Sequence, residues 1–200
     1  MAEEKNVGVR GEGLSVRRGG RVLFRDLSFA AKPGDYVEVC GANGVGKTSL
    51  LRVVAGFLRP SAGRIIVTGA EEPALAFHYI GHLNALKGGA SVRAHMRYWA
   101  GLFGAESAFD AAASRLGIAP LLDLPTRVLS QGQQRRTALS RLLIAPRPVW
   151  LLDEPAAGLD SSGRALVGEL VAAHCATGGV VLAAVHEPLG PAPAQSVTLT

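Results

Sequence analysis

The run YVEVCGANGVGKTSLLRVVA, residues 36–55, changes character twice. Tyr36–Cys40 reads as an apolar strand, a glycine-rich turn follows, and from Thr48 to Ala55 the apolar residues recur at helical spacing. The middle segment, GANGVGKT at 41–48, fits the pattern G-x-x-x-x-G-K-[ST] in the strand–loop–helix context that the pattern requires. Its glycines let successive backbone N–H groups curl around phosphate oxygens, and the start of a helix adds partial positive charge. This assigns Gly41, Ala42, Asn43, Gly44, Val45, Gly46, Lys47, Thr48 and Ser49 to a nucleotide site. Lys47 reaches the β and γ phosphates, and the Thr48 hydroxyl coordinates Mg²⁺. A glycine-rich turn before an ordinary helix leaves Lys47 unexplained.

About a hundred residues further on, VWLLDEP ends an apolar strand with Asp153 and Glu154 side by side. Their repulsion is tolerable only if a cation opposes it or a water is activated there. With a phosphate loop upstream, Asp153 is placed to hold Mg²⁺, whose charge offsets that repulsion. Glu154 then faces the γ-phosphate and orients or deprotonates the attacking water.

Around these two segments, β-rich stretches alternate with helical patterns, which indicates an α/β fold with a largely parallel sheet. The first forty residues differ: GLSV, RVLFRDLSFAA and YVEVCG read as short strands between Gly and Pro turns, as in an antiparallel sheet. Strands follow at GRIIVTG and FHYIGHL, then mainly helix over 91–116. Val92, Met96, Trp99 and Phe103 recur there at a spacing that reads as core. A Pro-bounded loop at 120–128 leads to a helix over about 131–145, the VWLLD strand, a helix near 161–175 and the strand GGVVLAAVHE. No repeat or low-complexity tract interrupts the chain.

Two hundred residues suit one domain with an ample core. The net charge of +5 comes from 21 basic residues, 17 of them Arg, scattered rather than gathered into the stripe of a nucleic-acid binder. No stretch approaches the ~18–20 apolar residues of a membrane helix, and MAEEKNVGVR lacks the apolar segment of a secretory signal. Cys40 and Cys175 have no metal-ligand spacing and read as buried, reduced thiols of a cytoplasmic protein.

Phosphate loops and paired carboxylates serve several enzyme classes; LSQGQ at 129–133 separates them. It sits about twenty residues before LLDEP and resembles the LSGGQ signature of the ATP-binding cassette (ABC) ATPases. Ser130 caps the next helix, so its hydroxyl, the Gly132 amide and the helix dipole make an anion site. The resemblance, which covers essentially the whole chain, implies that Ser130, Gly132 and Gln133 bind the ATP held by a second copy in a homodimer enclosing two nucleotides. It gives Asp160 of GLD a place at that interface and makes His186 the switch histidine on the γ-phosphate. It also implies a P-loop NTPase core (36–59 and 146–200), an antiparallel β-subdomain (1–35 and 60–75) and an inserted helical subdomain (84–145).

Three departures from the family pattern stand out. Gln131 replaces a glycine of the signature, which a negative φ accommodates. Leu83 occupies the place of a Gln that touches Mg²⁺ and water in the family. Either His82 or Asn84 replaces it or the contact is absent, and the loop is expected to relay partner contact by packing. The aromatic that stacks on adenine near the N-terminus in the family is missing from LSVRRGGRVLF, residues 14–24, leaving Arg17 or Arg18 to do so through a planar guanidinium.

With its short length, the near absence of a C-terminal extension, its LSQGQQRR variant and the loop IGHLNALK, the chain resembles the cytochrome c maturation ATPases, the CcmA family. That implies a peripheral ATPase on the cytoplasmic face of the bacterial inner membrane, working with CcmB-like and CcmC-like integral subunits on haem or on release of a haem chaperone. The alternatives are another small-substrate ABC transporter or, further off, a soluble non-transport ABC ATPase. No CxxCH occurs and the five histidines are scattered, so no direct haem site is evident.

Overall fold

A computed structural model describes residues 6–200. The polar stretch at 1–5, which opens the expected 1–35 subregion, lies outside the described residues.

Five parallel strands form the central sheet: β3 (Tyr36–Cys40), β5 (Phe77–Ile80), β6 (Val149–Asp153), β7 (Val180–Ala184) and β8 (Gln195–Thr198), in the order β5-β6-β7-β3-β8. β6 and β7 are buried along their whole length, which is why VWLL and VVLAA carry no polar alternation. Successive side chains still alternate between two cores. Val149, Leu151, Val180 and Leu182 join one, whereas Trp150, Leu152, Val181 and Ala183 join the other.

The first core is closed by α1 (Lys47–Val54), through Leu50, Leu51, Val53 and Val54, and by a three-stranded antiparallel sheet in the order β2-β1-β4. Its strands are β1 (Gly8–Arg18), β2 (Arg21–Ala31) and β4 (Ala62–Thr68). The second core is closed by α2 (Val92–Phe103), α3 (Phe109–Arg115), α4 (Gln131–Ile144) and α5 (Ser161–Ala176). Ser91 caps α2 by accepting the Ala94 N–H, and Gly104 ends it in the left-handed conformation.

Three readings of the sequence need correction. YVEVC does not extend the antiparallel sheet; it lies between β7 and β8 in the parallel one, because burial on both faces suits it to the centre of the core. The last strand, β8, was not expected: its four residues follow a Pro- and Gly-rich turn and expose alternate side chains. Cys40 and Cys175 are free but only partly buried, and burial pushes the Cys175 thiol up to about 11.

Candidate active site

Because the central strands are parallel, the segments after β3, β5, β6 and β7 all leave from one edge of the sheet, the carboxyl edge where α/β proteins bind ligands. Those segments are the phosphate loop, the 81–84 loop, the Asp153–Pro155 turn and the stretch carrying His186.

After β3 the chain turns at Gly41 with φ 137°, where a Cβ would lie 2.6 Å from the Leu199 carbonyl oxygen. It enters α1 through Gly46 at φ 123°, with no side chain capping the helix. Lys47 is buried and its Nζ donates to the carbonyls of Gly41 (2.7 Å) and Ala42 (3.2 Å), which fixes the ammonium at the loop. Thr48 Oγ1 donates toward Asp153, 3.0 and 2.9 Å from its two carboxylate oxygens. A cavity of about 430 Å³ opens beside them. Asn43, Gly44 and Gly46–Ser49 line it together with Arg52, Glu154 and, from the antiparallel sheet, Leu23 and Arg18. Of the two arginines offered for base stacking, Arg18 therefore lines the cavity and Arg17 does not.

Glu154 takes φ 50°, a left-handed conformation uncommon for a non-glycine residue, while its N–H donates to the Ala184 carbonyl at 2.9 Å. This aims the carboxylate between two imidazoles. Oε1 lies 2.9 Å from His186 Nε2, and Oε2 lies 3.5 Å from His82 Nδ1. Asp153 is 2% exposed, and Tyr79 Oη approaches it at 3.5 Å. Burial raises the Tyr79 phenol pKa, and the Asp153 charge adds to the rise.

Arg135 was not singled out by sequence. Its guanidinium, on α4 and 2% exposed, donates to the backbone carbonyls of Asp153, Glu154, Pro155 and Gly81 and to Asn84 Oδ1, all within 2.8–3.0 Å. Burial lowers the pKa of this guanidinium, and the Asp153 and Glu154 charges raise it again. So a positive group does oppose the paired carboxylates, held to their backbone. Nothing marks it in the sequence beyond its place as the first Arg of QQRR, and its partners lie 18–54 residues away.

Ser130 closes a full capping box at α4, its Oγ accepting the Gln133 N–H while Gln133 Oε1 accepts the Ser130 N–H. Asp160 caps α5 by accepting the Gly163 N–H at 2.7 Å, which holds its carboxyl below the usual range. Ser130, Gly132, Gln133 and Asp160 do not line the cavity at the phosphate loop. Leu83 is 82% exposed, and Asn84 is turned to Arg135, which leaves His82 as the member of that loop beside Glu154. The remaining histidines are tied into the fold. His78 Nε2 meets the Ala145 carbonyl, His174 stacks on Trp150 with its Nε2 at the Pro148 carbonyl, and His95 Nε2 accepts the Lys87 N–H.

The comparisons with known proteins give this geometry a family. The model of the ABC transporter family matches residues 24–157, from β2 past the paired carboxylates. The chain belongs to the ABC transporter ATP-binding family. This ABC ATPase is 45% identical to the cytochrome c biogenesis ATP-binding export protein CcmA of Rhizobium meliloti strain 1021, covering 94% of this chain and 96% of that one. It is 45% identical to the protein of the same name from Agrobacterium fabrum strain C58, covering 94% and 93%. Among solved structures it is similar to cbiO1 of Clostridium perfringens, part of the ABC transporter complex cbiONQ. The TM-score is 0.73 and the identity 28%, over 90% of this chain and 78% of that one. The chain is thus the ATP-hydrolysing subunit of an ABC transporter, and among its described residues no helix is long and apolar enough to cross a membrane.

Proposed function

We propose that the ABC ATPase drives a cytochrome c maturation complex, as a homodimer on the cytoplasmic face of the inner membrane beneath CcmB-like and CcmC-like integral subunits. The observation that carries the hydrolytic half is the meeting of Thr48 with Asp153 and of Glu154 with His186 at one edge of the sheet. The task is supported by the 45% identity to proteins named for cytochrome c biogenesis.

The donors at the first pair suit Mg²⁺: a hydroxyl and a buried carboxylate are hard oxygen ligands. Among the described residues no group of three His, Cys, Asp or Glu gathers to hold a metal by itself, which suits an ion completed by nucleotide and water. Bound there by Thr48 and Asp153, Mg²⁺ supplies charge neutralisation of the phosphates. Lys47 and the amides of 41–49 hold the phosphates, and Arg18 stacks on the base. Glu154 accepts the proton of the attacking water, and His186 orients that carboxylate and hydrogen-bonds the γ-phosphate. Ser130 and Gly132 at the amino end of α4, with Gln133 fixing the cap and Asp160 alongside, serve the nucleotide of the other subunit. None of the four lines this chain's own cavity, which suits a site completed in trans.

The test replaces the wild-type gene by Glu154→Gln in the source organism and stains membranes for covalently bound haem, with the membrane subunits quantified. Loss of c-type cytochromes with an intact complex supports the assignment. Normal cytochromes with hydrolysis abolished remove the maturation task and leave an ATPase of another small-substrate transporter.

A further inference from the structure

Arg135 carries an inference beyond the residues that touch nucleotide, and it rests on the ATPase reading above. A guanidinium has five N–H donors in a fixed plane, and here all five are engaged. Nε donates to Pro155 O (3.0 Å), and Nη2 donates to Asp153 O and Glu154 O (2.8 Å each). Nη1 donates to Gly81 O (2.9 Å) and Asn84 Oδ1 (3.0 Å). One rigid group on α4 thus fastens the loop after β5 to the turn after β6.

On the turn side it pins three successive carbonyls around Glu154, whose left-handed φ needs outside support to persist. On the loop side, the two contacts flank Leu83, the most exposed large hydrophobic residue described. Ala85, just beyond, also has a positive φ of 54°. A second link runs parallel to the guanidinium, from His82 Nδ1 to Glu154 Oε2. The loop therefore cannot move without dragging on the guanidinium or breaking its bonds, and either event is felt at the backbone that aims the carboxylate.

We propose that Arg135 is a positioning residue that couples the 81–84 loop to Glu154, so that a displacement of the loop changes the placement of the catalytic base. This supplies a relay through hydrogen bonds where the loop presents Leu83 in place of a metal-touching glutamine.

The test uses the complete complex with its membrane subunits and two variants, Arg135→Lys and Asn84→Ala. Lys keeps the charge but has neither the plane nor five donors. Arg135→Lys is expected to hold KM for ATP within about twofold and to lower kcat about tenfold or more, since small misplacements of a reacting group are expensive. Asn84→Ala removes one loop-side bond and is expected to lower kcat severalfold. In both, amide hydrogen exchange is expected to quicken together in peptides spanning 81–85 and 153–157. Wild-type kcat in Arg135→Lys overturns the proposal. So does an Asn84→Ala protein that exchanges faster at 81–85 while 153–157 and kcat stay as in the wild type. If Arg135→Lys does not fold, Asn84→Ala decides alone. A wild-type complex that hydrolyses no ATP defeats the functional reading instead, and the paired exchange still tests the coupling.

Discussion

Two helices of this ABC ATPase begin at sequence signatures, and they begin in opposite ways. α1 starts at Gly46 with no side chain on its leading N–H groups and no acidic residue in its first turn. α4 starts at Ser130 with both halves of a capping box formed. An uncapped start leaves unsatisfied donors, so α1 is held by its buried face, Leu50, Leu51, Val53 and Val54. Its amino end stays open to an anion. α4 secures its own first turn and keeps the Ser130 hydroxyl proton for a further acceptor. The difference suggests that one terminus is shaped by the ligand it receives and the other is finished before any ligand arrives.

That contrast can be broken or sharpened by experiment. Glu154→Gln, on the side of the open helix, is expected to cut kcat of the complex by roughly 10²–10⁴ while ATP binding persists, since it deletes a general base only. Turnover near the wild-type rate would remove Glu154 from its role. Lys47→Ala is expected to weaken ATP binding about 10- to 100-fold, the equivalent of one charge-assisted hydrogen bond. Calorimetric titration of the separated chain reads this directly, and unaltered affinity would break the comparison at α1.

The far end of α4 offers a pH test. His78 and His174 grip the carbonyls of Ala145 and Pro148 on either side of the link to β6, and burial pulls each pKa down to about 4 from 6.5. The unfolded chain takes up protons first as pH falls, so stability is full above about pH 6.5 and declines toward pH 4. Thermal unfolding is expected to drop by several degrees across that window. An unchanged midpoint there would mean that neither ring is held neutral. The smallest effect belongs to Ser130→Ala: loss of the cap costs about 1 kcal/mol, or roughly 2–4 °C in Tm. Nucleotide affinity of the separated chain should stay as in the wild type, while turnover by the complex falls. A loss of affinity in the separated chain would place Ser130 on its own nucleotide and erase the contrast.

What could be read in advance followed from locality. Gly41–Thr48, Asp153–Glu154 and Ser130–Gln133 are contiguous motifs whose chemistry sits within a few residues, and the topology had only to bring their strand ends to one edge. The pairing of Thr48 with Asp153 spans 105 residues, yet it was legible because each motif carries its own signal. Arg135 carries none: its five acceptors are mostly backbone carbonyls, which any sequence supplies, and one Arg in a basic pair looks like solvated surface. The interior position of β3 was likewise hidden, since a five-residue run with Glu38 at its middle does not announce whether its neighbours are parallel. β8 was missed because four half-exposed residues after a proline-rich turn give too little periodicity.

The left-handed backbone at Glu154 bears on how this protein tolerates change. Glycine adopts such a φ freely and asparagine more readily than glutamate, so either replacement would relax the turn by about 1 kcal/mol. A campaign that selects variants only for resistance to heat will therefore be drawn toward this position and will harvest inert proteins. Screens for robust forms need turnover as a second gate.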